Sequence, residues 1–225
     1  MPELSEAVPA EVDPLDGDPR LPEYFGSSWP KVDAFRRMLV SDGVLRGLIG
    51  PREVVRLWDR HLLNSAAVVQ YLPTSGRVID LGSGAGLPGV VVAAMLPEVE
   101  VVLLEPMERR TDWLHEVAER LELSNVVVRR GRAQEVHGEL IADAVTSRAV
   151  ASMDKLYGWA LPLLGRGGVL LALKGERAQA EVDAAVKVGQ RWGAGNAEVL
   201  IASTIAGVDT TRVVRVVRED ARRVR

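Results

Sequence analysis

The pattern of apolar segments predicts an α/β fold, a mostly parallel seven-stranded sheet with helices on both faces and a small N-terminal helical cap. Three observations carry this. Beyond residue 72, seven short runs rich in Val, Ile, Leu and Ala alternate for most of the chain with longer runs of helical periodicity. Residues 78–89 read Val78-Ile79-Asp80-Leu81-Gly82-Ser83-Gly84-Ala85-Gly86-Leu87-Pro88-Gly89, an apolar strand running into an acid and then into closely spaced glycines. Finally, 47% of the 225 residues are hydrophobic, enough for one sizeable core and too little for two full domains.

Residues 1–28 are rich in Pro, Glu, Asp, Gly and Ser. Their few large apolar groups cannot offset the entropy of ordering, so they are expected to form an acidic, disordered tail. Residues 29–225 are then a single domain, with the cap at 29–72 and the ligand-binding core at 73–225. In the cap, Val32, Phe35, Met38, Leu39 and Val44 fall near helical spacing, and a second helical run covers about 52–71. The core should follow as strand 77–81, helix 88–96, strand 99–104, helix 107–122, strand 126–130 and a short helix near 133–137. Strand 143–147, helix 153–164, strand 168–173, helix 176–191 and strands near 197–204 and 212–218 complete it.

The glycine turn after the first strand can serve two ligand classes. Gly84, Gly86 and Gly89 satisfy the G-x-G-x-x-G spacing of dinucleotide enzymes, with Glu105 about 20 residues on as a ribose-binding carboxylate. In those enzymes, however, the first glycine directly follows the strand. Counting must then start at Gly82, and the third glycine would fall on Leu87. Counted from the strand, the pattern is Asp80-x-Gly82-x-Gly84-x-Gly86, which resembles the first motif of class I S-adenosylmethionine (AdoMet) methyltransferases. Glycines here permit positive φ and let a ligand lie against the backbone. The next helix is expected to start near Leu87 and Pro88.

Ligands in open α/β sheets bind outside the carboxyl ends of the strands, which selects the polar residues that matter. Glu105 ends the second strand, where its carboxylate can accept both ribose hydroxyls. Ala133 and Gln134 follow the third strand and are placed to meet an adenine. Arg148 follows the fourth and is expected to face the cleft, and Lys174 ends the fifth as a cation at the rim. Methylating an exocyclic base amine is commonly served by an Asn/Asp-Pro-Pro-aromatic run after the fourth strand, and Thr146-Ser147-Arg148-Ala149 stands there instead. Guanine N7 needs no such group: its lone pair is already nucleophilic, and the work reduces to alignment.

Cysteine is absent, which excludes disulfides, thiolate metal sites and any cysteine nucleophile, including that of cytosine-C5 methylation. No apolar run approaches a membrane span, and the first residues lack a signal peptide's basic start and apolar centre, so a cytoplasmic location is expected. The net charge is −3. Residues 1–24 carry seven acids and Arg20, a balance of −6, leaving −3 − (−6) = +3 for the remainder. The last fourteen residues hold Arg212, Arg215, Arg218, Arg222, Arg223 and Arg225 against Glu219 and Asp220. With Arg148 and Lys174 they are read as a basic rim for a polyanion.

Arg60-His61-Leu62-Leu63-Asn64-Ser65, the glycine turn with its Leu87-Pro88-Gly89 ending, Ser147-Arg148-Ala149 and Ala172-Leu173-Lys174-Gly175 occur in this order and spacing. Over about 52–217 the chain thereby resembles the RsmG family, also called the glucose-inhibited division protein B family. The resemblance implies AdoMet-dependent N7 methylation of one guanine, number 527 in standard rRNA numbering, in bacterial 16S rRNA; a monomer is expected. The rRNA could be presented in the 30S subunit or an assembly intermediate. It carries cofactor contacts onto Gly82, Leu87, Ala133, Gln134 and Arg148, with Arg148 also a positioning candidate at the methyl donor and Glu105 the ribose acceptor. Arg60 and His61 become candidate RNA contacts. For His61 a bridge between cap and sheet is an equal reading, since Ser65 lies four residues on along one helix face. Arg46-Gly47-Leu48-Ile49-Gly50 replaces the family's frequent Asn-Leu-Thr segment. A small-molecule methyltransferase, which should carry a substrate-enclosing lid, and a nicotinamide-dependent oxidoreductase are the alternatives.

Overall fold

The computed structural model describes residues 12–219. The sheet is seven-stranded with order β3-β2-β1-β4-β5-β7-β6. Its strands are β1 (Gly76–Leu81), β2 (Val99–Glu105), β3 (Val126–Arg130), β4 (Ala142–Arg148), β5 (Leu164–Lys174), β6 (Ala194–Ala202) and β7 (Thr211–Arg218). Strands β1 to β5 are parallel, and β7 runs antiparallel to both β5 and β6. Strands β1 and β2 read as continuous apolar runs because both of their faces are covered.

Helix α4 (Gly89–Met95) is buried at every position from Gly89 to Ala94. A helix apolar all round must be enclosed, and this one lies between the sheet and the cap. Helix α5 (Glu108–Arg120) is amphipathic and turns Thr111, Trp113, Leu114 and Val117 inward at helical spacing. On the other face, α6 (Met153–Ala160) and α7 (Ala178–Arg191) pack against one another and cover a second apolar cluster that includes Ile79, Leu81, Val145 and Leu170.

The N-terminal segment corrects the expected tail. Residues 1–11 lie outside the described residues, but 12–28 are ordered and include α1 (Arg20–Phe25). Leu21 and Phe25 enter the core, and the acids serve as acceptors for cap donors. Asp13 Oδ2 accepts the Trp58 backbone N–H at 2.9 Å, and Asp16 Oδ1 accepts Trp58 Nε1–H at 2.8 Å. Composition could not show this, because the partner of both acids lies more than forty residues away. The Trp58 ring also stacks on Trp29 at 5.4 Å, worth about 0.5–1.5 kcal/mol beyond the area it buries.

The cap continues with α2 (Trp29–Met38) and a helical path over 51–71 that mixes 3-10 and π-type turns with the short helix α3 (Asn64–Ala66). Helix α4 begins at Gly89, so Pro88 sits just before the first turn rather than inside it. The 46–50 segment packs on α5, where Arg46 pairs with Glu116 at 2.8 Å and lies over the Trp113 ring. Among the described residues, no helix is long and apolar enough to cross a membrane.

Candidate functional site

The three glycines of the turn after β1 have φ of +73° at Gly82, +57° at Gly84 and +103° at Gly86. They are glycine for different reasons. A Cβ on Gly82 would meet Val150 Cγ2 at 2.9 Å, and one on Gly86 would meet Val90 Cγ2 at 2.7 Å and Phe35 at 3.1 Å. At Gly84 nothing lies nearer than the Gly82 carbonyl at 3.8 Å and Arg110 at 4.0 Å. Of the three, Gly84 has open space where a Cβ would sit, while Gly82 and Gly86 are required by packing.

Glu105 is only 2% exposed and holds this turn from beside it. Its Oε2 accepts the Gly84 N–H at 2.9 Å and its Oε1 accepts the Met107 N–H at 3.0 Å, with Arg110 3.8 Å away. Each carboxylate oxygen retains a second lone pair for hydroxyl donors. The adjoining cavity has a volume of about 470 Å³ and is lined by Gly82, Glu105, Met107, Ala133, Gln134 and Val150 among others. That volume lies within the range of about 300–1,000 Å³ typical of small-molecule sites. An acceptor for ribose, a loop for adenine and Gly82 of the turn, all in one wall, fit an AdoMet-shaped ligand.

Asp80 is fully buried beneath the turn. Its Oδ2 accepts the Gly89 N–H at 2.9 Å, which ties β1 to the start of α4, while Oδ1 has no partner. Burial pushes its pKa up to about 7, against the pull of the Gly89 N–H and the Arg148 charge.

Past Ala149 and Val150 lies a second cavity of about 540 Å³, with Asn64, Arg148, Ser152, Lys174 and Glu181 in its wall. Ala149 and Val150 line both cavities. Arg148 lines this second cavity and not the one beside Glu105. Its guanidinium donates to the Arg60 carbonyl at 3.0 Å and to His61 Nδ1 at 2.9 Å, and His61 Nε2 meets Glu53 Oε2 at 2.7 Å. Burial lowers the Arg148 pKa to about 10, still cationic at neutral pH. His61 is pushed below its usual value, first by burial and then by the Arg148 charge.

Lys174 is likewise not a free rim cation. Its ammonium donates to Glu181 Oε2 at 2.8 Å and to the Ala151 carbonyl, because a strand-end amine only 11% exposed must find acceptors. Leu87 is 4% exposed and sits in the core, so its side chain lines neither cavity. Arg60 is half exposed and 3.7 Å from Glu53. Arg222, Arg223 and Arg225 lie outside the described residues. Because β7 is antiparallel, Arg212 stands level with Lys174 at the cavity edge, whereas Val217 pairs Val169 near the opposite edge. Glu53, Asn64, Arg110, Val150 and Glu181 were not singled out from sequence. Only Lys174 and Glu181 carried a signal, opposite charges seven residues apart across a strand-to-helix turn.

Residues 29–202 match the family described as rRNA small subunit methyltransferase G (GidB). The ribosomal RNA small subunit methyltransferase G of Thermobifida fusca (strain YX) is 60% identical over 163 residues, covering 72% of this chain and 69% of that protein. The protein of the same name from Bifidobacterium longum (strain DJO10A) is 45% identical over 217 residues, covering 90% of this chain and 97% of that one. Among solved structures, precorrin-6y C5,15-methyltransferase from Geobacter metallireducens superposes with a TM-score of 0.53 at 14% identity, covering 76% of this chain and 92% of that one. A predicted O-methyltransferase from Agrobacterium tumefaciens gives 0.55 at 22% identity, with 71% and 81% coverage. The chain shares the fold of these two proteins, and Gly89, the third glycine of the dinucleotide count, packs on Asp80 and Leu103. On the family match and the close relatives together, the chain belongs to the rRNA small subunit methyltransferase G family.

Proposed function

We propose that the protein transfers the methyl group of AdoMet to N7 of a guanine in small-subunit 16S rRNA, the activity of its family. AdoMet lies in the cavity between Glu105, Ala133, Gln134 and the glycine turn, and the target base enters the neighbouring cavity beside Asn64 and Arg148. The observation that carries this reading is the wall shared through Ala149 and Val150, which sets the two ligands side by side. Bound AdoMet supplies an electrophilic methyl on a sulfonium sulfur.

The residues of the second cavity suit a base that need not lose a proton before attack. Glu181, its carboxylate, is occupied by the Lys174 ammonium and by the Met153 N–H at 3.2 Å. The remaining N–H groups of Arg148 point a fixed cation at the acceptor atoms of a guanine edge. Asn64, held by Thr211 Oγ1 at 2.8 Å, lines the same cavity. Their work is alignment, for which well-oriented reactants gain about 7–11 kcal/mol of barrier. The protein acts as a cytoplasmic monomer on rRNA presented by the 30S subunit or an assembly intermediate.

Transfer of tritiated methyl to unmodified 30S subunits, to assembly intermediates and to naked 16S rRNA, followed by nucleoside analysis, tests this. The expected product is 7-methylguanosine from an assembled particle. Label in any other nucleoside, or none with AdoMet bound, refutes the reading.

A further inference from the structure

We infer that His61 is a positioning residue: fixed by Glu53 in its neutral Nε2–H form, it holds the Arg148 guanidinium at the wall between the two cavities. The inference rests on the proposed reaction for its consequence and on geometry for its existence. Arg148 can only donate, so the ring nitrogen it meets at 2.9 Å must be an acceptor. That nitrogen is His61 Nδ1. The ring's one proton therefore sits on Nε2, where it is donated to Glu53 Oε2 at 2.7 Å. The chain Glu53–His61–Arg148 runs from the turn at Pro51–Arg56, through the cap, to the last residue of β4.

Among the described residues, Arg148 has no carboxylate within salt-bridge distance. Its direction is set by two neutral acceptors, the Arg60 carbonyl and His61 Nδ1, both supplied by the cap. A cation held by neutral acceptors keeps its full charge for an incoming ligand, which a direct ion pair would spend. Protonating His61 would turn Nδ1 into a donor facing another donor and bring two cations together. The charged groups around His61 are Glu53 from the preceding turn, Asp59 and Arg60 from its own segment, and Arg148 from β4. Asp59 is itself paired with Arg56, and Arg60 leans toward Glu53. Burial and Arg148 outweigh the two acids and hold His61 below its ordinary 6.5, so the neutral form persists through neutral pH. Arg148 is thus aimed only while the cap is docked and His61 is neutral.

The chain has three histidines, His61, His115 and His137, so ring nitrogen-15 NMR resolves them. The first test is the ligand-free protein: His61 should carry its proton on Nε2 and titrate below 6.5. A proton on Nδ1, or titration at or above 6.5, overturns the inference whatever the substrate proves to be. The second test is single-turnover methyl transfer to unmodified 30S subunits against pH. The wild-type rate should fall below about pH 6.5, and the part of that fall that belongs to His61 is separated from the titration of Asp80, whose charge also acts on Arg148, by comparison with His61→Gln. His61→Gln offers an acceptor and a donor that do not titrate. It should keep the rate within about fivefold and lose the His61 part of the acid limb.

His61→Phe, which offers neither, should slow transfer about 10- to 100-fold while AdoMet affinity stays within threefold, the scale expected of a small misplacement. A His61→Phe rate within threefold of wild type, or an unchanged acid limb in His61→Gln, overturns it. If wild-type protein labels no small-subunit RNA, the proposed reaction fails, and the NMR test still decides the His61 contact by itself.

Discussion

Replacing Glu105 separates the two tasks its carboxylate performs. Both oxygens accept backbone N–H groups, Gly84 at 2.9 Å and Met107 at 3.0 Å, from a side chain almost fully buried. Glu105→Ala leaves both donors without their charged acceptor at about 1–3 kcal/mol each, so about 2–6 kcal/mol in all. In a chain of this length each kcal/mol shifts Tm by roughly 2–4 °C. Losing the ribose contacts should further weaken AdoMet by about 1.5–3 kcal/mol, or roughly 10- to 150-fold. Glu105→Gln keeps one carbonyl acceptor and turns the other oxygen into a donor. It should therefore lose about half the stability of the alanine variant while still binding AdoMet at least tenfold more weakly than wild type. Urea denaturation measures the first quantity and calorimetric titration with AdoMet the second. AdoMet affinity within threefold of wild type in a folded Glu105→Gln protein would show that this carboxylate serves the turn and not the cofactor.

Three further outcomes are expected. Gly89→Ala should destabilise by about 1–3 kcal/mol or more, because its Cβ would meet Leu103 at 2.3 Å and Asp80 Oδ2 at 2.5 Å, and Asp80 cannot retreat without losing the Gly89 N–H; an unchanged urea midpoint would contradict this. Asp80 holds its proton to about pH 7 when folded but only to about 3.8 when unfolded, so its contribution to stability is full below 3.8 and lost as pH rises through 7. Asp80→Asn should then gain more Tm over wild type at pH 8 than at pH 5, and equal gains in scanning calorimetry would refute the assignment. Arg212→Ala should shallow the salt dependence of 30S binding by about one unit and leave AdoMet affinity unchanged, since Arg212 stands level with Lys174 at the cavity edge.

The seven strands and the glycine turn were legible because their signals are local: apolar runs set off by glycines, and helices with 3.6-residue periodicity. The same locality, read from strand ends, picked out Glu105, Ala133 and Gln134, which the fold brings together in the wall of one cavity. What escaped depended on partners distant in sequence. The acids at Asp13 and Asp16 looked like a solvated tail until Trp58 supplied their donors. Gly82, Gly84 and Gly86 looked equivalent until Val150, Val90 and Phe35 showed that two of them are demanded by packing. Arg148 and Lys174 both read as free cations at strand ends. Their acceptors, His61, Arg60 and Glu181, come from a cap segment and from the first turn of α7. The direction of β7 was hidden for a similar reason. Apolar alternation is blind to whether a strand runs up or down, so the arginines following residue 211 could not be assigned to an edge of the sheet.

Ala149 and Val150 make the partition between the two cavities only two residues thick, and Ala149 holds φ of +54°, a conformation side chains rarely adopt. Val150 also fills the space that a side chain on Gly82 would need. A ligand that shifts this partition from one side reshapes the pocket on the other, and the free energy of that exchange must be the same read from either direction. Whatever factor the cofactor adds to RNA affinity, RNA returns to the cofactor. On the proposed reaction, methyl transfer changes both occupants at once, and the same reciprocity then links the affinities of the two products.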